Sequence, residues 1–169
     1  MSAQVSRTVI ASLEFARTGQ TLGGSLAVAE LTRLQDSLYD TLGLVDFAVQ
    51  GGYDSRGRPT LRLDVSGTLH LKCQRCLGQL DFPLRLASTL LLASAAEAAA
   101  SRLDEEEVEW IEASPELDVG ALVEDEIILC LPYSPRHAEE VCPAGRPDPG
   151  GDASRSAFAK LAALRRNLN

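Results

Sequence analysis

Cys73 and Cys76, separated by two residues, are the side chains in this 169-residue sequence whose spacing points most directly to chemistry. A Cys-x-x-Cys pair on a tight turn aims two thiolates at one ion, as a zinc knuckle does, and tetrahedral closure then needs two more ligands. His137 and Cys142 can supply them, with His70 and Cys130 as poorer candidates. Cys130 falls on an apolar stripe, where a small buried side chain is expected. An inert thiol pair is the simpler expectation, so no cofactor is expected. Zinc on Cys73, Cys76, His137 and Cys142 is the alternative. A thioredoxin-like role is disfavoured, because that chemistry wants the pair at a helix start. The remaining inventory for catalysis is poor. His70 and His137 lie in no triad setting, and no glycine loop has the phosphate-cradling pattern. An enzyme, or a small-molecule substrate, is not expected.

The elements that must position the cysteines are legible around them. Leu61, Leu63, Val65, Leu69 and Leu71 occupy odd positions with polar residues between, and after the cysteines Leu80, Phe82, Leu84 and Leu86 occupy even ones. A period of two marks strands with one buried face. The cysteines therefore sit at the turn of a long antiparallel hairpin. Val45, Phe47 and Val49 add a strand before it, giving a meander over about 43–51, 60–72 and 79–93. Val9-Ile10-Ala11 predicts no more than a short strand or an ordered arm. Leu26, Val28, Ala29, Leu31, Leu34 and Leu38, following Gly23-Gly24 and a capping Ser25, predict a helix. Residues 94–106 read as a solvent-facing loop that can include a helical turn, and Val108, Trp110 and Ile111 as a short strand on the sheet edge. Asp118 opens a second helix with Val119, Leu122, Val123, Ile127 and Cys130 on its apolar side, and Pro132 ends it. Glu124, Asp125 and Glu126 are expected to face solvent. The fold class is α+β: an antiparallel meander covered by helices. One domain over 1–136, a flexible Pro/Gly-rich linker over 137–152 and a short amphipathic helix over 153–169 complete the expected organisation.

A formal charge of −8 argues against wholesale nucleic-acid binding, but the charges are segregated. Asp104, Glu105, Glu106 and Glu107 form an acidic run, whereas the hairpin carries Arg56, Arg58, Lys72 and Arg75 and the tail carries Arg165 and Arg166. Such a pattern suits a basic partner on one face and phosphate on another. The plainer alternative is an acidic loop kept for solubility. No apolar run approaches the roughly 18–20 residues of a membrane helix, and the first residues lack a signal pattern, so a cytoplasmic protein without membrane contact is expected.

Three separated stretches then resemble one family. They are Leu71-Lys72-Cys73-Gln74-Arg75-Cys76, Leu122-Val123-Glu124-Asp125-Glu126-Ile127-Ile128-Leu129-Cys130-Leu131-Pro132, and Ala157-Phe158-Ala159-Lys160-Leu161-Ala162-Ala163-Leu164. In order and spacing they are similar to the YceD family, the bacterial large ribosomal RNA subunit accumulation proteins. His137 and Cys142 match the His and Cys that follow the Pro in the proteobacterial branch. Other members carry further cysteines there, and this chain does not. The resemblance implies a non-enzymatic role in the synthesis, processing or stability of 23S ribosomal RNA. The partner would be the large-subunit RNA precursor or its early assembly complex. Two competing readings are an adapter that binds only a basic ribosomal protein through its acidic segment, and a zinc- or thiol-dependent regulator.

Overall fold

The computed structural model describes residues 8–101 and 109–142. The acidic run 104–107, the helix expected over 153–169 and the tail arginines Arg165 and Arg166 lie outside the described residues. The described elements are β1 (Val9–Ile10), α1 (Ser12–Thr18), β2 (Thr21–Ala27), two 3-10 turns (Val28–Glu30 and Thr32–Ser37), β3 (Leu44–Tyr53), β4 (Pro59–Lys72), β5 (Gln79–Ala93), α2 (Ala95–Ser101), β6 (Trp110–Glu112), β7 (Leu117–Asp118) and α3 (Val119–Cys130). None of the described helices is long and apolar enough to cross a membrane.

The expected meander is β3, β4 and β5, the centre of a five-stranded sheet ordered β2-β3-β4-β5-β6. The long hairpin pairs from Lys72 opposite Gln79 to Thr60 opposite Leu91. Its register sets Leu61 against Leu90, Val65 against Leu86 and Leu69 against Phe82, so the odd positions of β4 and the even positions of β5 share one face. That face is the core. Leu61, Leu63 and Leu69 are fully buried there, together with Phe15 of α1, Val28 and Leu34 of the 3-10 turns, and Val119, Val123 and Ile127 of α3. The fold is α+β, as expected, with short helices on one face of a mostly antiparallel sheet.

At the far edge β6 runs parallel to β5, with Leu91 opposite Trp110 and Ala93 opposite Glu112. This is the edge strand expected around Trp110. It reaches only residues 91–93 of β5. From residue 79 to residue 90, β5 has β4 on one side and no strand on the other among the described residues.

Three expectations fail. The stretch from Ser25 to Leu38 is not a helix. Ser25 lies within β2 opposite Asp46, to which its hydroxyl donates, and the chain then turns twice in 3-10 conformation. Of the expected stripe, Leu26, Val28, Leu31, Leu34 and Leu38 are buried and Ala29 is exposed, and the burial comes from an extended strand followed by tight turns. The edge of β3 rewards a strand over Thr21–Ala27, and that pairing takes Ser25 out of the cap position expected of it. In the opposite sense, Ser12–Thr18 forms a helix where only an arm was expected. Gly19 ends it in the left-handed region at φ 61°, its amide donating to Ala16 O.

The third failure concerns α3. Asp118 caps it as expected, its carboxylate accepting from the Ala121 amide at 3.2 Å. Cys130, expected in the core, is exposed at the last residue of the helix, and Glu124 and Glu126, both expected in water, are buried. Glu124 accepts from the Arg33 amide at 2.7 Å and from Arg33 Nε at 2.9 Å. A carboxylate is tolerated inside because its charge is met at once by a cation and a backbone donor.

Helix α1 lies directly on β3 at Gly51. A Cβ there would stand 2.3 Å from Phe15 O and 2.8 Å from the Ala16 Cα, both backbone atoms that cannot swing aside. Gly51→Ala is therefore expected to destabilise the domain by about 1–3 kcal/mol in a urea melt, the usual cost of overpacking. At Gly52 the nearest atom to an added Cβ is the Thr60 hydroxyl at 3.9 Å, so Gly52→Ala should cost less than Gly51→Ala.

Candidate metal centre

The turn between β4 and β5 is tied at its base, where the Cys73 amide donates to Gly78 O at 2.9 Å and the Leu77 amide to Cys73 O at 2.8 Å. Closing it so tightly puts Leu77 at φ 60°, a left-handed conformation that costs a non-glycine residue about 1–2 kcal/mol. The turn aims the sulfurs of Cys73 and Cys76 to the same side.

The segment after Pro132 folds back onto this knuckle. The Gln74 amide donates to Pro135 O at 2.8 Å, and Arg75 Nη2 donates to His137 O at 3.1 Å. Beyond His137 the chain turns once, the Cys142 amide donating to Ala138 O at 3.1 Å, and this returns Cys142 to the cluster. The result is a group of four potential ligands, Cys73, Cys76, His137 and Cys142, with one ligand atom of each within 4.8 Å of all the others. Cys73 is wholly buried and Cys142 nearly so.

The donor set fits zinc. Sulfur ligands at about 2.3 Å in a tetrahedron stand about 3.8 Å apart, and three sulfurs with one imidazole is a common structural set. The histidine is prepared for it. His137 Nε2 lies 2.7 Å from Gln79 O and Nδ1 lies 3.3 Å from Cys76 Sγ. A backbone acceptor for one ring nitrogen fixes the tautomer and leaves the other nitrogen facing the thiols, the usual support of a metal-bound histidine.

The electrostatics of the cluster are divided, with one thiol lowered and its neighbours raised. Burial pushes the Cys73 thiol up, but the backbone amides of Cys76, His137 and Arg75 outweigh it and bring it to about 5. For Cys76 the Gly78 amide pulls down, and burial with the sulfurs of Cys73 and Cys142 pushes the thiol above its ordinary value. His137 is raised, first by its bond to Gln79 O and then by the Cys142 sulfur. Three sulfurs this close cannot all ionise without a counter-charge. A divalent cation supplies one and holds the thiolates deprotonated.

The other residues singled out in the sequence are scattered. Arg56 and Arg58 lie at the β3–β4 turn, where Arg58 Nε donates to Asp54 at 2.7 Å. Lys72 and Arg75 lie at the opposite end of β4, about 40 Å away at 3.3 Å per residue. The two pairs do not form one patch. His70, a poorer ligand candidate, is apart from the cluster, its Nδ1 2.9 Å from Asp40. Arg75 was expected to face phosphate. Its Nε donates to Cys142 Sγ at 3.2 Å. Neither that contact nor the Gln79 carbonyl could be found from spacing, since both depend on where residues 135–142 return.

A family model described as large ribosomal RNA subunit accumulation protein YceD matches residues 61–165. That stretch opens with the long hairpin and contains all four clustered residues as well as the three motifs noted in the sequence. No solved structure matches the chain. With well over half of its length matched, the chain belongs to the YceD family of large ribosomal RNA subunit accumulation proteins.

Proposed function

We propose that this chain supports the synthesis, processing or stability of 23S ribosomal RNA during large-subunit assembly, as a binding protein and not as an enzyme. A zinc ion on Cys73, Cys76, His137 and Cys142 would fix the end of the hairpin that meets the assembling particle. The family match carries the role in large-subunit RNA accumulation. The convergence of four ligand atoms at the hairpin tip carries the choice of that end. The work would be done in the cytoplasm, on precursor RNA or its early protein complex.

Lys72 is half-buried beside the knuckle and has no ion-pair partner among the described residues, and Arg136 is exposed on the returning segment. These two, joined by Arg165 and Arg166, are the proposed contacts to phosphate. Arg56 and Arg58 would form a separate, weaker contact. Screening over about 8 Å at physiological salt lets such a patch act despite the negative total charge.

Sedimentation of tagged variants with large-subunit precursors tests this. At a salt where wild type is partly released, Lys72→Glu is expected to leave the precursor fractions more completely than Arg58→Glu. Co-migration of Lys72→Glu at the wild-type level would overturn the knuckle as the RNA contact. If ribonuclease also failed to release wild type, the protein-only adapter, working through residues 104–107 on a basic ribosomal protein, would replace the proposal.

A further inference from the structure

We infer that Arg75 is the charge-balancing partner of the zinc–thiolate centre and controls how firmly the metal is held, an inference that rests on the zinc reading above. A Zn2+ ion with three thiolates and one neutral imidazole keeps one net negative charge. In a half-buried site that charge needs a counter-ion close by. Arg75 provides it. Nε donates to Cys142 Sγ at 3.2 Å, and Nη2 of the same guanidinium donates to the carbonyl of His137 at 3.1 Å. One side chain thus touches a ligand sulfur directly and the backbone of a second ligand.

The guanidinium does not lose its proton in proteins, so this compensation does not switch off. An N–H donated to a thiolate also occupies a lone pair that an incoming proton or electrophile would use. Cys142 is therefore both oriented and shielded by Arg75. The placement is economical in the chain as well. Arg75 sits between Cys73 and Cys76, so the turn that brings two ligands brings the cation for a third, 67 residues away from it in sequence. Arg75 is a positioning residue, acting on the metal through Cys142 and His137. Its positive charge is spent on the cluster and not on phosphate.

The test uses the full chain reconstituted with zinc, as wild type, Arg75→Ala, Arg75→Gln and Arg75→Lys. Zinc content is measured by mass spectrometry, affinity by competition with a chromogenic chelator, and alkylation of Cys142 and Cys73 by peptide mapping. Wild type is expected to hold one zinc. Arg75→Ala should bind it about 10–100-fold more weakly, the usual effect of losing a group that supports a metal ligand. Its Cys142 should alkylate faster while Cys73, which Arg75's side chain does not bond, keeps its wild-type rate. Arg75→Lys should recover part of the affinity through its charge, and more of it than Arg75→Gln. Unchanged affinity and unchanged Cys142 protection in Arg75→Ala would overturn the inference while leaving zinc in place. Wild type that binds no zinc would overturn the zinc reading itself, before any variant is compared. If Arg75→Ala does not fold, equal affinities for Arg75→Lys and Arg75→Gln would overturn the inference.

Discussion

On the zinc reading proposed above, replacing Cys73 by serine should abolish zinc binding and lower the unfolding midpoint of the zinc-loaded protein. Cys73 is wholly inside the knuckle, and serine is a poor zinc ligand because its hydroxyl stays protonated near neutral pH. Ligand binding to the native state alone stabilises by RT ln(1 + [L]/Kd), about 4 kcal/mol when free zinc is a thousand times Kd. Losing the metal should remove an amount of that order, read as a drop in the urea midpoint and as zinc content falling from one equivalent to near none. His137→Ala should do the same, since Nδ1 is the ring nitrogen left facing the sulfurs. Cys130→Ser, at an exposed helix end, should change neither quantity. Stoichiometric zinc that survives His137→Ala would sink the four-ligand assignment.

Ile127→Ala is expected to cost about 2–5 kcal/mol, the range for truncating a buried aliphatic side chain and leaving its cavity. Ile127 is fully buried between α3 and the sheet. Glu124, three residues earlier, should also matter, against the ordinary expectation for an acid on a helix. Glu124→Ala removes the acceptor of the Arg33 amide and of its guanidinium, an effect of about 1–3 kcal/mol. Asp125 also pairs with Arg33, but its side chain is 54% exposed, and Asp125→Ala should cost less than Glu124→Ala. Equal midpoints for Glu124→Ala and Asp125→Ala in urea would mean that the Arg33–Glu124 contact is not a stabilising one.

The long hairpin was legible because its alternation runs through Leu61, Leu63, Val65, Leu69 and Leu71 without a break of face, and no helix satisfies that period. The stretch from Leu22 to Leu38 was not. Its leucines and valines are close enough to fit a helical stripe, while the partner that makes Leu22–Ala27 a strand, the edge of β3, lies 17 to 27 residues further on. Glu124 was misread by residue type. Its neighbour Arg33 is 91 residues away, and nothing local announces it. At the knuckle the sequence named the four ligands but not their meeting, which depends on hydrogen bonds such as Gln74 to Pro135 across the return. Arg75 illustrates the same limit. A cation beside a turn reads as a phosphate contact, and its bond to Cys142 shows only once the return of residues 135–142 is known.

The short reach of β6 has a consequence for self-association. An uncovered strand edge offers a row of amides and carbonyls on which another chain can continue the sheet, the first step towards aggregation. Along the uncovered part of β5 the sequence places Asp81, Pro83 and Arg85, all exposed. Proline has no amide to offer an incoming strand and is tolerated where the missing donor would fall on the unpaired side. Two charges of opposite sign flank it and would have to be desolvated by a flat partner. Among the described residues the edge of β5 from 79 to 90 is thus open in geometry but a poor template in chemistry for a further strand.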